Sequence, residues 1–255
     1  MSIQMMLLGV GAVATKTYVD DVFSTFLYKG TGSPQSINNG IDLSSEGGMV
    51  WIKSRNWNRS HNIYDTVRGA NKVIYTESTS AEVTKGPSNA DSGIYQFNNN
   101  GFNIGAINGV GANNYNYSSW SFRKAPGFFD VVTWTGNGSN RTIAHSLGSV
   151  PGIIMVKCTS IQAYWWVYNR GIGATKVLYL NDTSAAATNS AIWNDTEPTS
   201  TNFSLGTGEG VNKNGETYVA YVFAGGESTA ATARSVDFDG SGDTLIVSDN
   251  SDFDL

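Results

Sequence analysis

Cysteine occurs once in the 255 residues, at Cys158. A single thiol closes no intramolecular disulfide and forms no C-x-x-C metal site. Cys158 follows Lys157 at the end of an apolar run, where it reads as a buried strand residue. Charge is scarce as well. Asp, Glu, Lys and Arg make up 15% of the chain, against about 25% in an ordinary soluble protein. The net charge is -5 and no run of basic residues occurs. A nucleic-acid backbone is therefore not the expected partner, because phosphate binding needs a Lys/Arg surplus on some face. No stretch approaches the roughly 18 apolar residues that span a bilayer as a helix, so membrane insertion is not expected. Met5 to Ala14 has the length and Ala-x-Ala ending of a signal peptide but no positive residue before Lys16, which argues against that role.

Catalytic constellations are thin. The two histidines, His61 and His145, lie in unrelated contexts, and no G-x-S-x-G, H-E-x-x-H or P-loop is present. The expectation is a protein that is not an enzyme and carries no cofactor. Glycine, at 29 residues, together with Asn, Ser and Thr fills the space that charge leaves. This is the composition of short strands joined by polar turns.

One pattern organises the chain. Gly48-Met49-Val50-Trp51-Ile52-Lys53 leads to Gly69-Ala70-Asn71-Lys72-Val73-Ile74-Tyr75. One hundred and four residues later, Ile153-Ile154-Met155-Val156-Lys157 leads to Gly173-Ala174-Thr175-Lys176-Val177-Leu178-Tyr179. Thr79-Ser80-Ala81 answers Thr183-Ser184-Ala185, and Gly101 to Gly105 answers Asn202 to Gly206. Tyr117, Trp120 and Phe122 answer Tyr218, Tyr221 and Phe223. Two copies of about a hundred residues are too few and too long for a solenoid. Strand-like segments rich in β-branched and aromatic residues recur between Gly/Asn turns, as in a β-sandwich. The fold class expected is all-β, with two tandem homologous β-sandwiches behind a short helix.

The division follows. Residues 1–27 form an N-terminal anchor peptide and helix, 28–126 the first sandwich, and 127–226 the second. Residues 227–255 form a linker and two further strands. Thr17 to Leu27 reads as a helix, with Asp20 and Asp21 in the first turn, where the helix dipole favours them. Val19, Val22, Phe23 and Phe26 share one apolar face. Together with Met5, Met6, Leu7, Leu8, Val10 and Tyr18 they are the candidate anchoring or oligomer-forming residues. Asn140 to His145 reads as the hairpin partner of Phe128 to Thr135, across the Gly136-Asn137-Gly138 turn.

Two further candidates carry chemistry. Adjacent Trp165 and Trp166 face opposite sides of a strand. One facing outward would stack on a sugar or a protein partner, though core packing is the ordinary reading. Asp237, Asp239 and Asp243 imitate the start of a calcium loop, but the twelfth position is Ser248 instead of Glu, so the segment is no EF-hand.

Several phrases are distinctive: G-S-P-Q-S-I-N-N-G-I-D-L (Gly32 to Leu43), D-T-V-R-G-A (Asp65 to Ala70), F-R-K-A-P-G-F-F-D-V-V-T-W-T-G-N-G (Phe122 to Gly138) and W-N-D-T-E-P-T-S (Trp193 to Ser200). Over roughly residues 28–224 they resemble a domain family in virion structural and tail-fibre-like proteins of marine bacteriophages, cyanophages among them. The segment Ser235 to Asp254 resembles the first strands of concanavalin-like or laminin-G-like sandwiches. The resemblance implies a phage tail fibre or tail appendage subunit, made in the host cytoplasm and residing in the virion. It would be anchored by residues 1–27 to tail, baseplate or nozzle proteins. It implies a homotrimer that supports host adsorption, with a host surface glycan reached through the C-terminal part. A carbohydrate-binding module using Trp165 or Trp166, and a capsid decoration or head-fibre protein, are the alternatives.

Overall fold

The computed structural model describes residues 18–226 apart from 87 and 89. The chain is all-β: among the described residues, antiparallel strands are punctuated by three helices of four residues each. The first half holds α1 (Val19–Val22), β1 (Phe23–Lys29), β2 (Gln35–Asn38), β3 (Gly48–Ser54), β4 (Asn62–Asp65), β5 (Lys72–Tyr75), β6 (Val83–Thr84), β7 (Ile94–Asn98), β8 (Gly101–Ile104) and β9 (Asn116–Arg123). Its strands form a six-stranded sheet, β1-β9-β3-β4-β5-β6, and a small sheet, β2-β8-β7.

The second half holds β10 (Phe129–Thr135), β11 (Arg141–Ala144), β12 (Pro151–Cys158), β13 (Trp165–Asn169), β14 (Lys176–Tyr179), β15 (Ala187–Thr188), α2 (Ser190–Trp193), β16 (Asn202–Leu205), α3 (Glu209–Asn212) and β17 (Thr217–Ala224). Its large sheet runs β10-β17-β12-β13-β14-β15, the same order strand for strand, and its small sheet is β11-β16. The α2 turn stands where the first half has β7. The correspondence reaches single hydrogen bonds. Tyr117 Oη donates to the Asn108 carbonyl at 2.9 Å and accepts from Ala112 N–H at 3.1 Å. Tyr218 Oη does the same with the Glu209 carbonyl at 2.7 Å and Lys213 N–H at 2.8 Å. Tyr28 stacks on Tyr117, and Trp134 stacks on Tyr218.

Side chains alternate across a strand, and the large sheets bury apolar residues on both faces. Val50, Ile52, Tyr64, Val73 and Tyr117 meet the first small sheet through Ile37, Phe102 and Ile104. Ile154, Val156, Tyr168, Val177 and Tyr218 meet the second through Ile143, Phe203 and Leu205. The opposite faces of the two large sheets share a third core of Met49, Ile63, Ile74, Phe129, Val131, Met155, Trp165, Val219 and Tyr221. A strand covered on both faces reads as a continuous apolar run, which is why buried Ile154 to Val156 lacks alternation. The layers are small sheet, large sheet, large sheet, small sheet. The two halves are joined by this shared core and lie within one compact unit that runs to Gly225.

Two sequence expectations are corrected. The helix over Thr17 to Leu27 shrinks to α1, a single turn, and Phe23 to Lys29 is strand β1. Seven residues of β1 pair with β9, from Phe23↔Phe122 to Lys29↔Asn116. A lone short helix is marginal, and here strand pairing along the whole segment overrides the three-and-four spacing. The hairpin of Asn140 to His145 with β10 is also absent. The two strands go to different layers: β11 pairs with β16, and β10 pairs with β17. The Gly136 turn is held instead by Asn212, whose carbonyl and side-chain oxygens accept from Gly138 and Asn137 N–H.

Candidate functional site

The two large sheets do not cover each other completely. One cross-strand row of the first sheet reads Thr25, Trp120, Trp51, Ile63, Ile74. Ile63 and Ile74 are fully buried, Trp51 and Trp120 are half-buried, and Thr25 is exposed. The equivalent row of the second sheet reads Val131, Tyr221, Met155, Val167, Leu178. Its gradient is reversed: Val131, Tyr221 and Met155 are buried, and Val167 and Leu178 are half-buried. The β3-β4-β5 side of the first sheet therefore meets the β10-β17-β12 side of the second. Trp51, Phe122 and Val167 pack against the edge of this shared core, and Thr25, Leu27 and Trp120 on the first sheet and Ile153 and Leu178 on the second lie beyond it.

Polar groups lock the seam. Arg68 pairs with Asp65 and, at 3.0 Å, with Glu82. The Tyr221 hydroxyl donates to Asp65 at 2.7 Å and accepts from Arg68 Nη2 at 3.2 Å. Burial opposes the guanidinium charge, but Tyr221, Asp65 and Glu82 outweigh it and raise the Arg68 pKa. Lys157 has no exposed surface and, among the described residues, no carboxylate partner. Its Nζ donates to the Thr79 carbonyl across the seam at 2.9 Å and to the Ala163 carbonyl of its own loop. Burial pushes its pKa down to about 8. Trp165 Nε1 donates to the Tyr75 carbonyl at 2.8 Å, and Thr159 accepts from Glu82 N–H at 2.8 Å.

The uncovered side of the first sheet is aromatic. Trp51, Lys53, His61, Trp120 and Phe122 line an open apolar cleft of about 330 Å³. Trp51 and Trp120 are direct cross-strand partners with ring centroids 6.2 Å apart. Trp51 Nε1 is buried without a hydrogen-bond partner. Leu27, on the edge strand β1, is 57% exposed, and Phe23 lies against Phe122 at 4.9 Å. The uncovered part of the second sheet carries Ile153, 39% exposed, and half-buried Leu178, while Val167 packs against the shared core.

The sequence candidates scatter over this frame. Tyr18 and Val19 are 59% and 71% exposed, while Val22 is buried. Phe26 packs into the first small-sheet core and Phe23 turns to the opposite face, so the proposed single apolar face is split in two. Met5, Met6, Leu7, Leu8, Val10, Asp237, Asp239 and Asp243 lie outside the described residues, as do the strands expected after residue 227. Trp165 and Trp166 do face opposite sides, Trp165 inward to the seam and Trp166 half-buried on the other face. Trp165 is fully buried in the seam. Trp166 packs on the second core and on Tyr179, and a Cβ added at Gly210 would collide with its Nε1. Cys158 is buried beside Ser160, and His145 Nδ1 accepts from Leu147 N–H while burial lowers the pKa of its ring. Among the described residues no three His, Cys, Asp or Glu side chains gather as a metal site. None of the helices among them is long and apolar enough to cross a membrane.

Sequence reasoning missed Trp51, Trp120 and Leu27 as surface residues and Arg68 and Lys157 as seam residues. The signal available was Lys157 itself, a charged residue inside an apolar strand, where burial demands a partner.

Residues 19–244 match the family described as Domain of unknown function (DUF7483). No curated protein and no solved structure matches the chain.

Proposed function

The chain belongs to the DUF7483 family, and we propose that this member is a structural subunit of a phage virion, built into a tail fibre or tail appendage that supports host adsorption. The observation that carries the reading is the uncovered aromatic face of the first sheet, continuous with the core between the halves. A contiguous apolar surface of this kind marks a site of association. The four-layer stack supports it, because a rigid body with cores on three levels suits a spacer that bears load. The virion setting rests on the resemblance of its sequence phrases to tail-fibre-like proteins. In this reading the segment before Tyr18 meets tail, baseplate or nozzle proteins, and glycan contact falls to the region beyond Gly226. With Trp165 buried and Trp166 packed on Gly210, the sandwiches act as scaffold.

The test is protein analysis of gradient-purified particles from the phage that encodes the chain, with and without its gene. The chain is expected in many copies per particle, in the tail fraction, and particles lacking it are expected to adsorb poorly. Recovery in the head fraction would make it a decoration or head-fibre protein. Absence from particles would overturn the virion reading.

A further inference from the structure

We propose that the aromatic cleft of the first sheet and the basic row beside it form a docking site for an acidic peptide segment of a partner protein, anchored by an aromatic side chain. This rests on reading that face as a site of association and names the chemistry of the partner. It does not depend on the virion setting.

Side chains two residues apart on a strand share a face. Thr25, Leu27 and Lys29 of β1 therefore lie beside Trp120, Ser118 and Asn116 of β9, and Trp51 and Lys53 of β3 lie beside Trp120 and Ser118. Arg55 extends the last row, since its N–H donates to the Asn116 carbonyl at 2.7 Å. The shared core ends at Trp51 and Phe122. Beyond it comes the cleft of about 330 Å³, then the row of Leu27 and Lys53, then the row of Lys29 and Arg55. Aromatic surface thus gives way to positive charge within four residues of strand, about 13 Å.

That charge is unanswered. Lys29 and Arg55 are exposed and Lys53 is half-buried. Among the described residues none of the three is in an ion pair, whereas Arg68, Lys72, Arg123, Lys124 and Lys213 all are. Lys53 Nζ donates to the Arg59 carbonyl at 2.6 Å. The carboxylate beside His61, Glu77, accepts from the His61 backbone N–H at 3.0 Å. Burial lowers the His61 pKa, so at pH 7 its ring is an uncharged part of the wall. A fitting occupant sets an aromatic group against Trp51, Trp120 and Phe122 and carboxylates against Lys53, Lys29 and Arg55. The cleft lies at the lower end of the range for ligand pockets, about 300–1,000 Å³, so it takes one or two side chains while the rest of the segment lies across the open strands. A saccharide needs several convergent polar groups, and the lining offers Lys53 and His61 alone. A nucleic-acid strand stacks on flat aromatic platforms, whereas Trp51 and Trp120 stand edge to face at 67°. An aromatic anchor in a pocket with complementary charge at the rim is how proteins hold one another.

The experiment reads the fluorescence anisotropy of a labelled peptide, Gly-Ser-Asp-Phe-Asp-Leu-Gly-Ser, against the full 255-residue chain titrated to about 1 mM, the weak end of specific association. Saturable binding is expected. Reversing both exposed cations, Lys29→Glu with Arg55→Glu, is expected to weaken it about tenfold, the reach of two or three exposed ion pairs. A peptide with both Asp residues replaced by Asn is expected to bind about tenfold more weakly as well. Trp120→Ala is expected to abolish binding, and Leu27→Asp replaces it where circular dichroism shows a lost fold. No binding of the acidic peptide would overturn the proposal and leave the virion reading to the particle test. Equal binding of the Asn peptide would overturn it too, leaving an association face that does not select charge. So would binding unchanged in Trp120→Ala or Leu27→Asp, which puts the peptide elsewhere, and so would tighter binding of a single-stranded oligothymidylate than of the peptide.

Discussion

The Tyr221 hydroxyl of the second half donates to the Asp65 carboxylate of the first at 2.7 Å, and neither residue has exposed surface. Arg68 completes the lock by contacting both. A buried carboxylate is tolerable only while its partners remain. Tyr221→Phe keeps the ring in the core and removes one partner, and is expected to cost about 1–3 kcal/mol. Arg68→Leu leaves Asp65 buried without its cation and is expected to cost about 3–5 kcal/mol. Urea unfolding of both variants checks the order, and an Arg68→Leu variant as stable as wild type would contradict it.

Lys157 makes stability depend on pH in the alkaline range. Its pKa is about 8 in the folded chain, against an ordinary lysine value of 10.5. Between those values the folded chain has released the proton and the unfolded chain still holds it. The unfolded state then binds more protons, so stability rises with pH across the window. Below about pH 8 the cost of the buried charge is present in full. The difference in unfolding free energy between wild type and Lys157→Met is expected to grow in favour of wild type from pH 8 to 10. A difference flat with pH would contradict the buried charge.

Trp165 is a seam residue. Trp165→Ala opens a cavity between the sheets and frees the Tyr75 carbonyl from its donor, at a cost of about 3–5 kcal/mol. A glycan array with the folded wild-type chain is expected to show no binding that depends on this side chain. Sugar binding lost in Trp165→Phe at unchanged stability would contradict the placement.

Gly210 is where the Trp166 indole rests. Gly210→Ala places a methyl group where Nε1 sits, and overpacking of this kind costs about 1–3 kcal/mol. Thermal unfolding reads it, and Trp166→Leu in the same chain is expected to restore much of the loss. An unchanged melting temperature in Gly210→Ala would contradict the contact.

Much of the architecture was legible in the sequence, and the faces were not. The paired phrases around Val50 to Lys53 and Ile153 to Lys157 fix equivalent strands, and the strand orders follow them. Whether such a strand is covered once or twice was not legible, since Met49 and Ile153 are both apolar and only one is covered. Which halves of the sheets meet depends on how whole surfaces fit, and no local spacing encodes that. The segment before Lys29 satisfied two periods at once. Val22 and Phe26 suit a helix, Phe26 and Tyr28 suit a strand, and pairing with β9 chose the strand.

The central claim is that this chain is a repeated structural part of a virion. Cryo-electron microscopy of virions purified from cultures that express the chain tests that most directly. The account predicts density for the four-layer body in multiple copies on the tail. Particles with complete tails and no such density would contradict it.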